Sequence, residues 1–215
     1  AIGSVTANTG LILSVAILFM SIAITRKKYL VKGLLLIAAI IVVWLGSLGS
    51  EPRHLSIIAS IVLFVVFAVF VFENIKSAKS ERSADEKPSF TKKEAVFKVV
   101  FFVLGAVMLV FGSNLLVDHG SAIATAIGIP EAIIAITMIA IGTSLPELVT
   151  TITAIVKKQS GLSAGNIIGA NIIDLSLILP LSSIVSGGRL EISNQGWMLD
   201  MPACLVIVAV AIIPT

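Results

Sequence analysis

Apolar residues come along this chain in long continuous runs, broken by short polar ones. The runs fall at about 2–25, 29–48, 55–72, 95–117, 131–156, 163–186 and 197–213. None alternates apolar and polar at period two, so neither half-buried strands nor the ten-residue segments of a membrane barrel fit. Most are close to the roughly 20 residues that a helix needs to cross a hydrocarbon core of about 30 Å. The last is short and stops at Pro214, which cannot continue a helix as a donor. The predicted fold class is all-α, a polytopic transmembrane helical bundle of seven spans.

Composition strengthens that reading. Of 215 residues, 57% are hydrophobic and 13% charged, with a mean hydropathy of +1.10. A water-soluble domain of this size needs far more polar surface. The outside of this one is built for lipid, its first expected partner. The net charge of +3 is small and its basic residues form no single patch, which excludes nucleic acid as a partner. Cys204 is the single cysteine, so no intrachain disulfide is available. The chain opens at Ala1 with neither a starting Met nor a charged leader, and is expected to be a fragment.

Charge also sets the topology. Arg26, Lys27, Lys28 and Lys32 follow the first run. Lys76, Lys79, Arg82, Lys87, Lys92, Lys93 and Lys98 lie between the third and fourth, and Lys157 and Lys158 follow the fifth. The opposite side carries Arg53 and Arg189, a ratio of thirteen to two. The positive-inside rule places the first group in the cytoplasm and Ala1 outside. The domain reading is three helices in 1–72, a cytoplasmic linker at 73–94 rich in Ser, Lys and Glu, and four helices in 95–215. The chain is expected to be an integral multi-pass protein of the cell membrane.

Two stretches repeat. Ala1–Ser14, AIGSVTANTGLILS, aligns without gaps on Ile167–Pro180, IIGANIIDLSLILP, with five identities. These are Ile2/Ile168, Gly3/Gly169, Leu11/Leu177, Ile12/Ile178 and Leu13/Leu179; Asn8 falls opposite Asp174 and Ser4 opposite Ala170. The copies lie in the first and sixth spans, so an odd number of crossings makes them run in opposite directions. Inverted-topology repeats of this kind recur in secondary transporters, with the binding site at the repeat interface near the midplane.

Most acidic residues lie in loops or at span ends, but Glu147 and Asp174 lie deep inside spans. A charge there costs about 2.5–3.5 kcal/mol on insertion scales, so it is retained with a partner or for a function. Carboxylate oxygens suit hard cations such as Ca²⁺. In Ala140-Ile141-Gly142-Thr143-Ser144-Leu145-Pro146-Glu147, steps of three and four put Ala140, Thr143 and Glu147 on one helix face, with Ser144 on its edge. Pro146 has no N–H, so the Gly142 carbonyl loses its helical donor and needs another partner in lipid. A cation is one such partner; an ordinary proline kink with hydroxyls bonded back to the chain is the plainer alternative. In the sixth span Gly165 and Gly169 permit close helix approach, and Asn171 and Asp174 follow. In the first, Ser4 and Asn8 are neighbours one turn apart.

GTSLPE at Gly142–Glu147, followed by GNIIGANIID at Gly165–Asp174, resembles the second alpha repeat of the sodium/calcium exchangers, within the cation/calcium exchanger superfamily. AIGSVTANTGLIL resembles the latter half of the first alpha repeat. The resemblance implies ten helices in two inverted halves, of which this chain corresponds to helices three to nine, and exchange of Na⁺ for Ca²⁺ by alternating access. It implies that Glu147 is the carboxylate shared by Ca²⁺ and Na⁺. Thr143 and Ser144 would supply hydroxyls and Ala140 its carbonyl, Asp174 and Asn8 would face each other at the centre, and Ser4 would add a hydroxyl to a sodium site. Ca²⁺ and Na⁺ are then transported substrates, and no cofactor is implied. Ala170 stands where the family usually has Ser, and Thr6 and Ala7 depart from its polar pattern, which puts one sodium site in doubt. The first repeat's own GTSLPE-like segment and a tenth helix are absent, so the ion site is expected to need a missing N-terminal segment or a second chain.

Other readings make different demands. An H⁺-coupled relative would carry GNxxE in place of GTSLPE; a K⁺-coupled one would use an acidic residue such as Asp174. A cation channel or non-transporting subunit leaves the inverted repeat unexplained. An intramembrane enzyme is not expected: Ser144 has no His or Lys on a nearby turn, and the GxSxG turn is missing.

Overall fold

The structure, a computed structural model, describes residues 1–19, 26–49, 52–81, 91–157, 160–188 and 190–212. These form helices α1 (Ile2–Phe19), α2 (Arg26–Gly46), α3 (Ile57–Glu81), α4 (Lys92–Ala126), α5 (Glu131–Val156), α6 (160–185) and α7 (Gly196–Ile212). Among the described residues there is no strand, only an isolated antiparallel bridge between His54 and Glu191. α1 to α4 and most of α6 are long and apolar enough to cross a membrane. α5 is 26 residues long, and the described part of α7, Gly196–Ile212, is shorter.

Helix ends move where local chemistry outweighs hydropathy. α3 continues to Glu81, into the stretch read as linker, because Glu73–Glu81 is rich in good helix formers. The rest of the linker before Thr91, 82–90, lies outside the described residues, as do 20–25 of the first run. α4 is 35 residues, about 50 Å at the usual rise, and overruns the hydrocarbon core at its ends. It starts where the Thr91 N–H donates to the Glu94 carboxylate at 3.0 Å. It stops at Gly128, whose φ of +82° only glycine adopts freely, while the Ile129 N–H returns to the Ala124 carbonyl at 3.0 Å.

The chain forms two compact units, one of Ala1–Val71 with Glu147–Thr215 and one of Phe72–Pro146. In the first, Val5 and Ile12 of α1, Leu36 and Ile40 of α2, Leu63 of α3, Ile168 and Ile172 of α6 and Val208 of α7 build the core. Lipid is as apolar as these side chains, so close fit must hold the helices together. Small residues provide it: a side chain on Gly46 of α2 would collide with Ala59 of α3, and one on Gly33 with Ile212 of α7. At one end the Ile192 N–H donates to the Arg53 carbonyl at 2.8 Å. There the Arg53 guanidinium lies 4.1 Å over Trp197, whose indole N–H donates to the Trp44 carbonyl at 3.2 Å. Tryptophans beside a basic residue at a span end suit the membrane interface.

In the second unit the stretch 99–112 of α4 is apolar on every side. Phe101, Phe102, Met108 and Phe111 are all more than half exposed, as lipid requires and water would not tolerate. Gly142 of α5 packs where any side chain would meet Val117.

Candidate ion site

The repeat in the sequence returns as a repeat in geometry. α1 widens into a π-helical turn over Asn8–Leu13, and α6 does the same over Asp174–Ile178. The two turns begin at residues that the repeat aligns, Asn8 and Asp174. Such local widenings concentrate at functional sites, because they change the face from which side chains and carbonyls project.

Hydrogen bonds between α1 and α6 run crosswise. Ser4 Oγ donates to Asp174 Oδ2 at 3.1 Å, and Asn8 Nδ2 donates to Asn171 Oδ1 at 2.8 Å. Moving up α1 from Ser4 to Asn8 moves down α6 from Asp174 to Asn171, so the two helices are antiparallel. The pairing differs from a direct Asn8–Asp174 opposition: each central residue takes a neighbour one turn from its aligned counterpart. Asn171 Nδ2 donates in turn to Thr9 Oγ1 at 3.0 Å. Asn8 and Asn171 are fully buried, Ser4 nearly so, and Asp174 is half-buried.

Glu147 opens the part of α5 that belongs to this unit. It is half-buried. Its backbone carbonyl accepts from Thr150 Oγ1 at 2.9 Å, and Thr150 Oγ1 accepts from Asn166 Nδ2 of α6 at 3.1 Å. This bond ties α5 to α6 and explains the Asn after Gly165.

Ala140, Thr143 and Ser144 belong to the other unit, one or two turns before Glu147 on the same continuous helix. Thr143 is exposed and its hydroxyl donates to the Ala140 carbonyl at 3.2 Å; Ser144 is buried. Thr143 and Pro146 also line a cavity of about 340 Å³ with Ser113, Asn114 and Asp118 of α4.

Among the described residues, the buried side-chain oxygens with no protein partner are Asn8 Oδ1, Ser144 Oγ, Glu147 Oε2 and Thr151 Oγ1. Buried polar atoms are nearly always paired, so each asks for an explanation. Three belong to residues singled out from the sequence. No three His, Cys, Asp or Glu side chains cluster among the described residues. Any cation held here would therefore meet one or two carboxylates among neutral hydroxyl, amide and carbonyl oxygens, a donor set for hard ions. Asn171 and Thr9 were not singled out as site residues. Asn171 was visible as a polar residue one turn before Asp174; Thr9 carried no signal, since threonine is ordinary in a membrane helix.

A family model described as sodium/calcium exchanger protein matches residues 1–76 and 97–214. An uncharacterized membrane protein of Methanocaldococcus jannaschii is 30% identical over 184 residues, 86% of this chain and 59% of its own length. Sodium/calcium exchanger MaX1 of Methanosarcina acetivorans is 37% identical over 112 residues, 51% of this chain and 32% of its own. A solved structure of the sodium-calcium exchanger NCX_Mj, soaked with Na⁺ and Sr²⁺, matches with a TM-score of 0.73 at 27% identity, over 98% of this chain and 66% of that one. The chain spans about three-fifths of the first relative's length and about a third of the second's.

Proposed function

The chain belongs to the sodium/calcium exchanger family, and from that premise we propose that it carries one flank of the ion site of an antiporter exchanging Na⁺ for Ca²⁺ by alternating access. The observation that carries the reading is the meeting of the two repeats: paired π-helical turns beginning at Asn8 and Asp174, cross-bonded to Asn171 and Ser4. Deep in a membrane such polar density is costly, and a cation pathway justifies it.

In this reading Glu147 is the carboxylate for which Ca²⁺ and Na⁺ compete. Thr143 and Ser144 contribute hydroxyl oxygens and Ala140 its carbonyl. Asp174 and Asn8 form the centre, and Ser4 serves a sodium site while donating to Asp174. Ca²⁺ prefers six to eight oxygens and tolerates irregular geometry, which a mixed set of this kind suits. Occupancy couples to movement through charge: an empty, ionised site is costly to carry past lipid, whereas a site neutralised by its cation is not. The polar stretch 73–94 lies on the cytoplasmic side of the cell membrane, and Ala1 on the other.

The test is uptake of radioactive calcium into Na⁺-loaded proteoliposomes holding the protein. Uptake that collapses with the Na⁺ gradient is expected. Uptake driven instead by H⁺, or only with K⁺ present, would reassign the coupling ion. Calcium current with no counter-ion would make the protein a channel. No flux from folded, inserted protein would remove the exchange reading.

A further inference from the structure

The polar chain behind Asn8 does more than fill space. Asn8 and Asn171 are fully buried and Thr9 is 3% exposed, so water does not reach this group of three. Asn8 Nδ2 is spent on Asn171 Oδ1 at 2.8 Å, and Asn171 Nδ2 on Thr9 Oγ1 at 3.0 Å. Asn8 Oδ1, the end left over, has no protein partner. An amide's two ends are nearly equal in size, so shape alone does not decide which one Asn8 presents. Hydrogen bonding must decide it. Turning Asn8 over would set its oxygen against Asn171 Oδ1, unless Asn171 turned as well and brought its own oxygen to Thr9.

We propose that Thr9 is a positioning residue for ion binding: by accepting the Asn171 N–H it fixes the relay in the sense that presents Asn8 Oδ1, not an N–H group, to the cation. This rests on the exchange reading and deepens it. A helical threonine tends to spend its own hydrogen on a carbonyl one turn back, as Thr6 does on Ile2 at 3.0 Å, which leaves the oxygen to accept. Take that oxygen away and a buried N–H on Asn171 loses its partner. Either sense of the Asn8–Asn171 pair then leaves one N–H end and one carbonyl end unpaired, so the preference for presenting Asn8 Oδ1 is lost and both senses are populated. Thr9 touches no ion in this scheme; it acts through two amides.

The experiment compares half-saturating Ca²⁺ and Na⁺ with maximal rate, in the intact protein in proteoliposomes. Thr9→Val is expected to raise half-saturation about twofold, the factor by which the competent fraction falls when the two senses become equal, with the maximal rate nearly unchanged. Thr9→Ser keeps the oxygen and is expected to match the parent. Should the valine variant not fold, Thr9→Cys takes its place, since a thiol is close in size and a poor acceptor. The decisive comparison is made in an Asn171→Asp background. A carboxylate only accepts, so it holds Asn8 Nδ2 without help from Thr9, and there Thr9→Val should shift half-saturation no further. Equal losses in both backgrounds, an impaired Thr9→Ser or an unshifted Thr9→Val would each overturn the relay while leaving exchange itself intact. No sodium-driven exchange in the unsubstituted protein would overturn the exchange reading and the relay with it.

Discussion

A carboxylate and its amide differ by one charge and almost nothing in shape, which makes Glu147 the residue at which chemistry separates from packing. Its Oε2 is buried without a protein partner. We expect Glu147→Gln to reduce sodium-driven calcium uptake to background while the melting temperature in detergent stays close to that of the parent. Uptake at the parental rate would remove Glu147 from the mechanism. Ala170 offers the opposite change. It lies half-buried one turn before Asp174, where the aligned position of the other repeat, Ser4, donates to that carboxylate. Ala170→Ser should lower half-saturating Na⁺ by about fivefold, the worth of one added polar contact, and leave half-saturating Ca²⁺ nearly unchanged. An unaltered Na⁺ dependence would show that no sodium ion is held beside this position. Glu147, Asp174 and Asn8 stand out in the sequence because a polar group inside an apolar run is conspicuous. Thr9 could not, because its value comes from a partner 162 residues away.

Helices in lipid hold one another by fit, and fit is legible only once neighbours are known. Gly46 reads in sequence as the end of a span. In the structure it is where α2 and α3 touch, with Ala59 in the space that any side chain would need. Gly46→Ala should therefore cost about 1–3 kcal/mol, as overpacking does, and lower the melting temperature followed by Trp44 and Trp197 fluorescence. Adding Ala59→Gly should recover most of the loss. Gly105→Ala, where nothing lies within 4 Å, should not lower it. Equal behaviour of the two glycine variants would mean that α2 and α3 are not in contact there. The same limit applies to the π-helical turns. Apolar periodicity located α1 and α6, yet a change of one residue in hydrogen-bond register alters no hydropathy window. That both turns begin at aligned residues is a property of the folded repeats, not of either run alone.

For the molecule as a whole, the orientation proposed from charge can be tested without any transport assay. Cys204 is the single cysteine and is buried, so the unsubstituted protein should resist a membrane-impermeant maleimide. Ser83→Cys, in the polar stretch between α3 and α4, should react in inverted vesicles but not in intact cells. The reverse pattern would invert the topology drawn from the thirteen-to-two bias. Hydropathy, length and charge are sums over neighbouring residues, and they sufficed for the membrane-spanning helices and a lipid-facing exterior; the repeat and the acidic residues within spans were legible from individual residues. They also carried the motifs by which the family could be named. The pairing of Ser4 with Asp174, the Asn8–Asn171–Thr9 chain, the Gly46–Ala59 contact and the onset of the π-helical turns belong to the tertiary structure. Each depends on which atoms of distant segments meet within about 3–4 Å, and no local sum encodes that distance.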